Sequence, residues 1–307
     1  MNDYYFNAEI LDWTTWSTVF QSIEAFEPLV RAIFEKEKLL QPQRIENLSP
    51  GTNAVFRAGE YVIKIYAPHE SGIDEYHEGR ESRAVRYALA QGVNTPQILA
   101  EGELSDRYRF YYMIFAFCDG QEARAVLPSY SLEQKKVFIE QLRELLLRLN
   151  RPAPGVLPEI DLRRQALQNF RLNNLPPVLA QDFREHIREL PEEPHVFVHG
   201  DITAENVLID ANGGIILIDF GDALLAPLGY EWAALVFELL RGDAQMCTLW
   251  AQDLHREEFI DIVLKGLVLH DFGANILIDI LERWGVDVQS VRRVEDFKAL
   301  LMQRLFQ

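Results

Sequence analysis

The sequence predicts an α+β fold with two lobes, a small one built on an antiparallel sheet and a larger one that is mainly helical. Apolar and polar residues alternate in the first half, as in FRAGEYVIKIY at residues 56–66, which is the period of a half-buried strand. In the second half, apolar residues recur mainly at helical spacing. Two strand-like runs, HVFVHGD and NVLIDANGGIILIDFGD, interrupt this helical half. Sheet-forming and helix-forming segments are thus largely segregated along the chain, as in α+β proteins.

The predicted elements fall into three segments. Residues 1–40 form a helical preface, because apolar residues recur at helical spacing over 8–40. Residues 41–118 form the small lobe, and residues 119–307 form the larger lobe. The expected elements of the two lobes include two strands around Gly59, a helix over 75–91, strands over 98–103 and 108–117, and a helix over 131–150.

Length, charge and cysteine content limit the classes of protein. Of the 307 residues, 48% are hydrophobic and 25% are charged, which is typical of globular domains. A formal net charge of −17 argues against nucleic acid as a partner and favours a cationic small molecule. With only two cysteines, and without a secretory or membrane-spanning pattern, the sequence indicates a cytoplasmic protein with no membrane partner. The oligomeric state is not readable from the sequence.

The strongest chemical signal is an ordered set of polar residues at the ends of the strand-like runs. His199 and Asp201 belong to a His-Gly-Asp triplet at the end of the first run. Asn206 comes five residues later, and Asp219 opens an Asp-Phe-Gly triplet after the second run. Phosphoryl transfer needs a carboxylate that accepts a proton from the attacking hydroxyl, and oxygen ligands that bind Mg²⁺ at the phosphates. Asp201 fits the first role, and Asn206 and Asp219 fit the second.

The stretch VHGDITAENVLIDANGGIILIDFGDA resembles the signature of the aminoglycoside phosphotransferase and choline kinase-like family. This family shares the two-lobed protein-kinase architecture. The resemblance extends from about Ile45 to Leu240. It implies an ATP-dependent kinase for a small molecule, with His199 and Asp201 in the catalytic triplet. It also implies that Asp201 is the base and that Asn206 and the aspartate of the Asp-Phe-Gly triplet bind the metal.

Lys64 is the candidate nucleotide-binding lysine. It lies in the middle of the strand YVIKIY and shares a face with Val62 and Tyr66 under the period-two rule. Its ammonium is expected to bind the α and β phosphates, and Val62 is expected to lie against adenine. A lysine on a solvated face is the alternative interpretation. Glu81 is expected to pair with Lys64, and Glu78 is the rival for this role.

The loop LSPGTNAVF occupies the place of a phosphate-covering loop, although it has only one glycine and no GxGxxG or Walker pattern. The resemblance suggests as candidate phosphate contacts Ser49, Gly51, Thr52 and Asn53. The segment MIFAFCDG fits the connector between the lobes, where backbone groups of Phe115 and Phe117 would bind the adenine edge. A buried strand end is the alternative interpretation of that segment.

A small acceptor is favoured over a protein, because the chain from Asp222 reaches an apparent helix at Tyr230 without a long activation segment. Asp222 and Glu238 are candidates for binding amino groups of the acceptor, although acidic residues on solvated helix faces would look the same. Glu231 replaces an aspartate that is frequent in the family, and Asn150 stands where relatives often have histidine. Glu231 is expected to support the catalytic loop structurally and is interpreted as a subfamily feature, and Asn150 is a second departure from the family pattern.

Several alternatives remain open from the sequence. The acceptor is an aminoglycoside-like antibiotic or an amino alcohol, or else a choline, sugar or amino-acid derivative, and the nucleotide is ATP or GTP. A pseudokinase-like module that binds nucleotide without turnover is the alternative outside enzymes. A second Asp-Phe-Gly triplet at 271–273 has no strand before it and is interpreted as a chance match, and no spacing of the histidines predicts a transition-metal site.

Overall fold

Five antiparallel strands form the sheet of the first half of the chain in the computed structural model, which describes residues 4–49, 51–73 and 79–306. These strands are β1 (Ile45–Asn47), β2 (Ala54–Ala58), β3 (Tyr61–Ile65), β4 (Ile98–Ser105) and β5 (Arg109–Ala116). Their order across the sheet is β1-β2-β3-β5-β4. The strands predicted around Gly59, and those predicted over 98–103 and 108–117, are confirmed.

Three helices belong to the same part of the sequence: α1 (Trp13–Val19), α2 (Ile23–Lys36) and α3 (Arg80–Ala90). The helical pattern over 8–40 becomes two helices because Ser22 is extended and its hydroxyl accepts a hydrogen bond from the Ala25 N–H, which starts α2. α3 lies within the predicted helix over 75–91. Residues 75–78 of that prediction, including Glu78, lie outside the described residues.

The apolar side of α2 packs on one face of this sheet. The Phe26 ring lies 4.8 Å from the ring of Phe6 and 5.6 Å from that of Phe56 on β2, and Phe110 of β5 belongs to the same cluster. All four side chains are fully buried. Burial of one such side chain contributes about 1.5–3 kcal/mol. The N-terminal helices and the sheet therefore share one hydrophobic core.

The chain divides into two compact units. The first unit contains residues up to 85 together with 95–119, and the second contains residues 86–94 together with 120 onward. The second unit is mainly helical. Its helices are α4 (Ala123–Val126), α5 (Leu132–Leu149), α6 (Leu162–Gln168), α7 (Pro177–Glu189), α8 (Leu228–Ala234), α9 (Ala244–Trp250), α10 (Arg256–Leu269), α11 (Gly273–Arg283) and α12 (Val294–Leu305).

Local sequence signals explain where several of these helices begin. Ser131 and Gln134 form the capping box that their spacing predicts at the start of α5. Asp243 caps α9 by accepting the Met246 N–H. A π-helical turn, Leu235–Leu239, directly follows α8. Over the described residues, no helix combines the length and the apolar content that crossing a bilayer requires.

Five short strands in the second unit position the candidate site. They are β6 (Gln121–Glu122), β7 (Val196–Val198), β8 (Val207–Ile209), β9 (Ile215–Leu217) and β10 (Leu224–Ala226). One antiparallel sheet has the order β6-β8-β9, and β7 pairs with β10 in another. The predicted α+β fold, with a sheet-containing first part and a mainly helical second part, is confirmed.

Candidate active site

The hairpin of β8 and β9 places Asn206 and Asp219 side by side. Val207 is paired with Leu217 in the register of the two strands. The pairing continues one residue further, because the Ile218 N–H donates to the Asn206 carbonyl oxygen at 3.0 Å. Asn206 and the residue after Ile218 therefore lie at the same end of the hairpin. The two residues that the sequence proposes as metal ligands are brought together by local strand pairing.

Asp201 lies in the loop that connects β7 to β8. The Asn206 side-chain nitrogen donates to the Asp201 carboxylate oxygen Oδ2 at 2.7 Å and to the Asp201 carbonyl oxygen at 3.0 Å. Burial, and after it the carboxylates of Asp222 and Asp219, raise the pKa of Asp201 to about 7, against the effect of the Asn206 hydrogen bond. Three of the predicted site carboxylates thus lie close enough to interact.

Gly200 is required where the chain enters this loop. Its φ is +82°, and an added Cβ would lie 2.4 Å from the backbone oxygen of Asp222. Only glycine adopts this conformation with so close a neighbour at low cost. The close approach brings the segment after β9 against the loop that carries Asp201. Asp219 also has a left-handed backbone, with φ of +59°, and such non-glycine conformations cluster at functional sites.

Glu231 of α8 binds the backbone of the loop that carries Asp201. Its side chain is fully buried, and its two carboxylate oxygens accept the N–H groups of His199 and Gly200, each at 3.0 Å. The Asn150 side chain donates to the same carboxylate at 3.1 Å and to the Phe197 carbonyl at 3.0 Å. Burial raises the pKa of Glu231, and the three donors oppose that shift. The two residues that depart from the family pattern therefore contact each other.

His199 is fully buried beneath the loop. Its Nε2 lies 2.9 Å from the Ile218 carbonyl oxygen, and its ring centroid lies 4.4 Å from that of Phe220. The Asp201 N–H donates to His199 Nδ1 at 3.3 Å. His199 therefore connects the end of β7 with the end of β9, and with it the loop of Asp201 with the segment of Asp219.

His270, between α10 and α11, contacts the same loop and was not singled out by the sequence. Its Nε2 lies 2.9 Å from the Gly200 carbonyl oxygen, and its Nδ1 accepts the Phe272 N–H at 3.1 Å. The neutral ring therefore carries its proton on Nε2 and donates it to Gly200. Burial lowers the pKa of His270 to about 4. The ring is stacked on Tyr230, with centroids 4.5 Å apart.

The second Asp-Phe-Gly triplet follows His270 in the turn before α11. The Asp271 carboxylate forms an ion pair with Arg171 at 2.8 Å, and the Tyr230 hydroxyl accepts the Asp271 N–H at 3.3 Å. α10 precedes the triplet, in agreement with the absence of a strand pattern before it. The contact between this turn and the loop of Asp201 is made by His270, the residue before the triplet, for which the sequence offered no local signal.

Lys64 of β3 forms a buried ion pair with Glu81 of α3, with Nζ 2.8 Å from Oε2. Both side chains are about 7% exposed. The Tyr66 hydroxyl donates to the same Glu81 oxygen. On the neighbouring strand, Val62 is paired with Phe115 in the register of β3 and β5. Glu78, the rival partner of Lys64, lies outside the described residues.

The predicted phosphate loop lies between β1 and β2. Its described residues Ser49, Gly51 and Thr52 are exposed, whereas Asn53 is buried and its Oδ1 has no hydrogen-bond partner among the described residues. The fully buried Trp16 of α1 donates its indole N–H to the Thr52 carbonyl oxygen at 2.8 Å. The loop is thus attached to an N-terminal helix, a contact that sequence patterns do not report.

At the end of β5, the two candidate adenine contacts differ in their available backbone groups. Phe115 lies within the sheet. The Phe117 N–H donates to the Glu60 carbonyl oxygen at 2.9 Å, and its ring lies 3.7 Å from the guanidinium carbon of Arg57. The Phe117 N–H is therefore engaged within the sheet region, and its carbonyl oxygen is the backbone group that a ligand would use.

The two candidate acceptor contacts also differ. Asp222 is exposed and raises the pKa of Asp201. Glu238 lies in the π-helical turn after α8 and forms an ion pair with Arg283 at 2.9 Å. Burial raises the pKa of Glu238, and Arg283 opposes this shift. Glu238 also contributes to the raised pKa of Asp201, so both carboxylates lie near the loop.

The oxygen ligands at the end of the β8–β9 hairpin fit a magnesium ion that is shared with phosphates. The side-chain nitrogen of Asn206 donates to Asp201, so the side-chain oxygen of Asn206 is the atom that could bind a cation, and the Asp219 carboxylate is exposed. Mg²⁺ is usually bound by one or two such groups together with substrate phosphates. Among the described residues, no group of three or more His, Cys, Asp or Glu side chains forms a self-sufficient metal site.

The sequence model of the phosphotransferase enzyme family, APH, matches residues 48–259, more than half of the chain. The chain belongs to this phosphotransferase family. The predicted family and enzyme class are confirmed by this match. All the predicted site residues lie within the matched range, whereas His270 lies beyond it.

Solved structures show the same fold in other members of this group. Aminoglycoside 2′-phosphotransferase-IIIa in its GDP complex is 17% identical, with 92% of this chain and 98% of that chain covered and a TM-score of 0.59. A thermostable mutant of aminoglycoside phosphotransferase APH(4)-Ia, in complex with ADP and hygromycin B, is 15% identical, with coverage of 89% and 97% and a TM-score of 0.57.

A choline/ethanolamine kinase family protein from Mesorhizobium loti has the fold as well. It is 19% identical, with 85% of this chain and 87% of that chain covered and a TM-score of 0.52. At these identities the likeness shows the fold, which is that of the protein-kinase-like small-molecule kinases. None of the curated proteins compared with this phosphotransferase gave a significant match.

Proposed function

We propose that this phosphotransferase moves the γ-phosphoryl group of ATP or GTP to a hydroxyl group of a small molecule, with Asp201 as the base. The observation that carries the proposal is the Asp201 carboxylate, which Asn206 fixes at 2.7 Å beside two further carboxylates. A pKa near neutrality suits a group that must gain and lose a proton during turnover. Related folds in complexes with GDP, ADP and AMP-PNP support a nucleotide as the donor.

The proposed reaction is a direct displacement at the γ-phosphorus. The acceptor hydroxyl oxygen forms a bond to phosphorus while the Asp201 carboxylate accepts the hydroxyl proton. The bond from the γ-phosphorus to the β–γ bridging oxygen breaks, and the nucleoside diphosphate leaves with that electron pair. Asn206 prevents rotation of the Asp201 carboxylate. His199 and Glu231 fix the backbone on which Asp201 is carried, so they position the base without contacting substrate.

Asn206 and Asp219 are the proposed ligands of Mg²⁺. A bound Mg²⁺ would offset the negative charge of the phosphates. Asn206 has a double role in this proposal, because its side-chain nitrogen orients the base while its side-chain oxygen would hold the cation.

The first unit supplies the proposed nucleotide contacts. Lys64, held by Glu81, binds the α and β phosphates with its ammonium. The loop over 49–53 offers hydroxyl and backbone groups to the phosphates, and Val62 lies against the base. The remaining proposed contacts are backbone groups of Phe115 and Phe117.

The proposed acceptor carries an amino group near the reacting hydroxyl, as in an aminoglycoside or an amino alcohol. Asp222 presents an exposed carboxylate near Asp201, and Glu238 adds a second acidic group. The net charge of −17 favours the approach of a cation. Structures of the same fold bind kanamycin and hygromycin B, which supports this class of acceptor.

The test is nucleotide consumption with Mg²⁺ and either ATP or GTP, across aminoglycosides, choline-like amines, amino alcohols and neutral sugars. We expect an amine-containing acceptor to stimulate turnover and Asp201→Asn to lower kcat about 10²- to 10⁴-fold with nucleotide affinity largely unchanged. Asp253→Asn, which changes an exposed carboxylate paired with Arg143, is the matched control.

Equal rates for wild type and Asp201→Asn would remove Asp201 as the base. Stimulation by neutral sugars alone would replace the cationic acceptor with a metabolic sugar substrate. Nucleotide binding without turnover for any acceptor would favour the pseudokinase-like alternative.

A further inference from the structure

Tyr66 donates its hydroxyl to the same Glu81 oxygen that accepts Lys64. The three residues form a buried cluster, because Lys64, Tyr66 and Glu81 as whole residues are 5%, 3% and 6% exposed. A buried carboxylate is stabilised only when donors satisfy its oxygens, and removing one donor is costly. Glu81 therefore depends on a neutral donor as well as on a cation.

The position of the Tyr66 ring is set by the sheet. Tyr66 follows β3 directly, and its N–H donates to the Tyr111 carbonyl at 3.1 Å, which extends the strand pairing. Its ring centroid lies 5.4 Å from that of Tyr111. The hydroxyl oxygen lies 3.3 Å from the Met113 sulfur. The phenol is thus a rigid donor, since both its backbone and its ring are packed against β5.

Tyr66 also faces Lys64 directly. The Lys64 ammonium lies 5.3 Å from the centre of the Tyr66 ring, within the range of a cation–π interaction. Lys64 has a flexible four-carbon stem, whereas Glu81 is carried by α3. One phenol therefore contacts the ammonium through its ring and the counter-ion of that ammonium through its hydroxyl.

We propose that Tyr66 is a positioning residue that directs the Lys64 ammonium to the nucleotide phosphates by fixing Glu81. This inference rests on the proposed function, because it requires Lys64 to bind phosphates. A phenol fixes the carboxylate without adding a charge. An ammonium has three donor hydrogens, so it can bind Glu81 and a phosphate oxygen at the same time.

The test compares Tyr66→Phe with Tyr112→Phe. Tyr112 is the matched control, because its hydroxyl also donates to a glutamate, Glu37, and its ring belongs to the core against α2. We expect Tyr66→Phe to raise the Kd of the magnesium–nucleotide complex about tenfold, the effect of losing one hydrogen bond to a charged group. The affinity for the corresponding nucleoside, which has no phosphates, should stay unchanged. Tyr112→Phe should change neither affinity.

A double-mutant cycle with Lys64→Met separates positioning from a general loss of structure. If Tyr66 acts through Lys64, then Tyr66→Phe should have almost no further effect on nucleotide affinity in the Lys64→Met background. Thermal unfolding of each variant, followed by circular dichroism, measures folding independently.

The outcomes distinguish this inference from the function on which it rests. Equal Kd values for Tyr66→Phe and Tyr112→Phe, or a tenfold loss that persists in the Lys64→Met background, would overturn the role of Tyr66 and leave the proposed function intact. An unchanged nucleotide Kd in Lys64→Met alone would overturn the role of Tyr66 together with the proposed contact between Lys64 and the phosphates, whereas the role of Asp201 as the base depends on the kcat of Asp201→Asn.

Discussion

Two buried glutamates support the candidate chemistry in the two units, and they do so with different partners. Glu81 in the first unit accepts from an ammonium and a phenol. Glu231 in the second accepts from two backbone N–H groups and the Asn150 amide, all of them neutral. The first arrangement orients a flexible side chain, and the second fixes a backbone loop.

The difference follows from what each glutamate has to hold. An ion pair can orient Lys64, because the ammonium bonds in several directions and, in the proposed function, also binds phosphate. A loop backbone offers directional N–H groups, and a carboxylate matches two of them with its two oxygens. The hydrogen-bond partners of Glu231 in the described part of the chain are neutral, and burial raises the pKa of this carboxyl against them. We therefore expect substitutions of the two glutamates to change different measured quantities.

Among the residues that hold the proposed catalytic groups in place, the largest effect is expected from Glu231→Gln. The glutamine NH₂ group would face a backbone N–H of the loop, leave it without an acceptor, and shift Asp201. We expect kcat to fall about 10²-fold, as for a small misplacement of a catalytic group, and stability to fall by about 1–3 kcal/mol. Measurements of kcat and of urea unfolding check both.

Glu81→Gln is the counterpart that sharpens the comparison. We expect a higher nucleotide KM and only a small fall in the free energy of unfolding. The fall is small because the amide oxygen still accepts the hydrogen bond from Tyr66. If Glu231→Gln retained the wild-type kcat and unfolding midpoint, the loop would not depend on this carboxylate, and the contrast between the two units would be lost.

The next largest effect concerns pH and His270, which also holds the loop as a neutral donor. Its pKa is lowered from 6.5 to about 4 by burial first and by Arg171, against the hydrogen bond to Gly200. The unfolded chain then binds more protons between these two values, so the stabilisation is complete above about pH 6.5 and is lost as the pH falls toward 4. Between pH 8 and pH 5 the loss is about 2 kcal/mol.

His270→Gln is expected to remove this part of the acid sensitivity, because glutamine has a donor for Gly200 but no charge change. Free energies of unfolding in urea at pH 5 and pH 8 test it, with the exposed His195→Gln as control. An unaltered difference between the two pH values in His270→Gln would assign the acid sensitivity to other groups.

The smallest effect is expected from Trp16→Phe. This substitution tests whether the indole N–H, a neutral donor, fixes the loop of Thr52 in the first unit. The substitution keeps an aromatic ring against Phe26 and removes the indole N–H that binds the Thr52 carbonyl. We expect the nucleotide KM to rise about threefold, the lower end for a neutral hydrogen bond, with kcat unchanged.

Trp13→Phe is the matched control on the same helix, because Trp13 is 46% exposed. The same KM for both variants would show that the loop over 49–53 is positioned without α1. A drop in kcat for Trp16→Phe alone would indicate an effect beyond nucleotide binding.

Much of the fold and part of the candidate site could be predicted because the signals are local. Alternation over 56–66 is sufficient for β2 and β3, and it also places Lys64 and Tyr66 on one face. The turn before β9 pairs neighbouring segments, so Asn206 and Asp219 meet through contacts within one hairpin. Ser131 and Gln134 act within one helical turn.

The contacts that hold the site were decided by the tertiary structure alone. Glu231 reaches the loop from 31 and 32 residues away, Trp16 reaches Thr52 over 36 residues, and His270 reaches Gly200 over 70 residues. Hydrophobic period and turn chemistry act over a few residues and contain no information on such pairs. The sequence by itself determined which residues are candidates for the chemistry. Packing decided which buried groups fix them in place, because a buried donor or acceptor must find a partner wherever in the chain that partner lies.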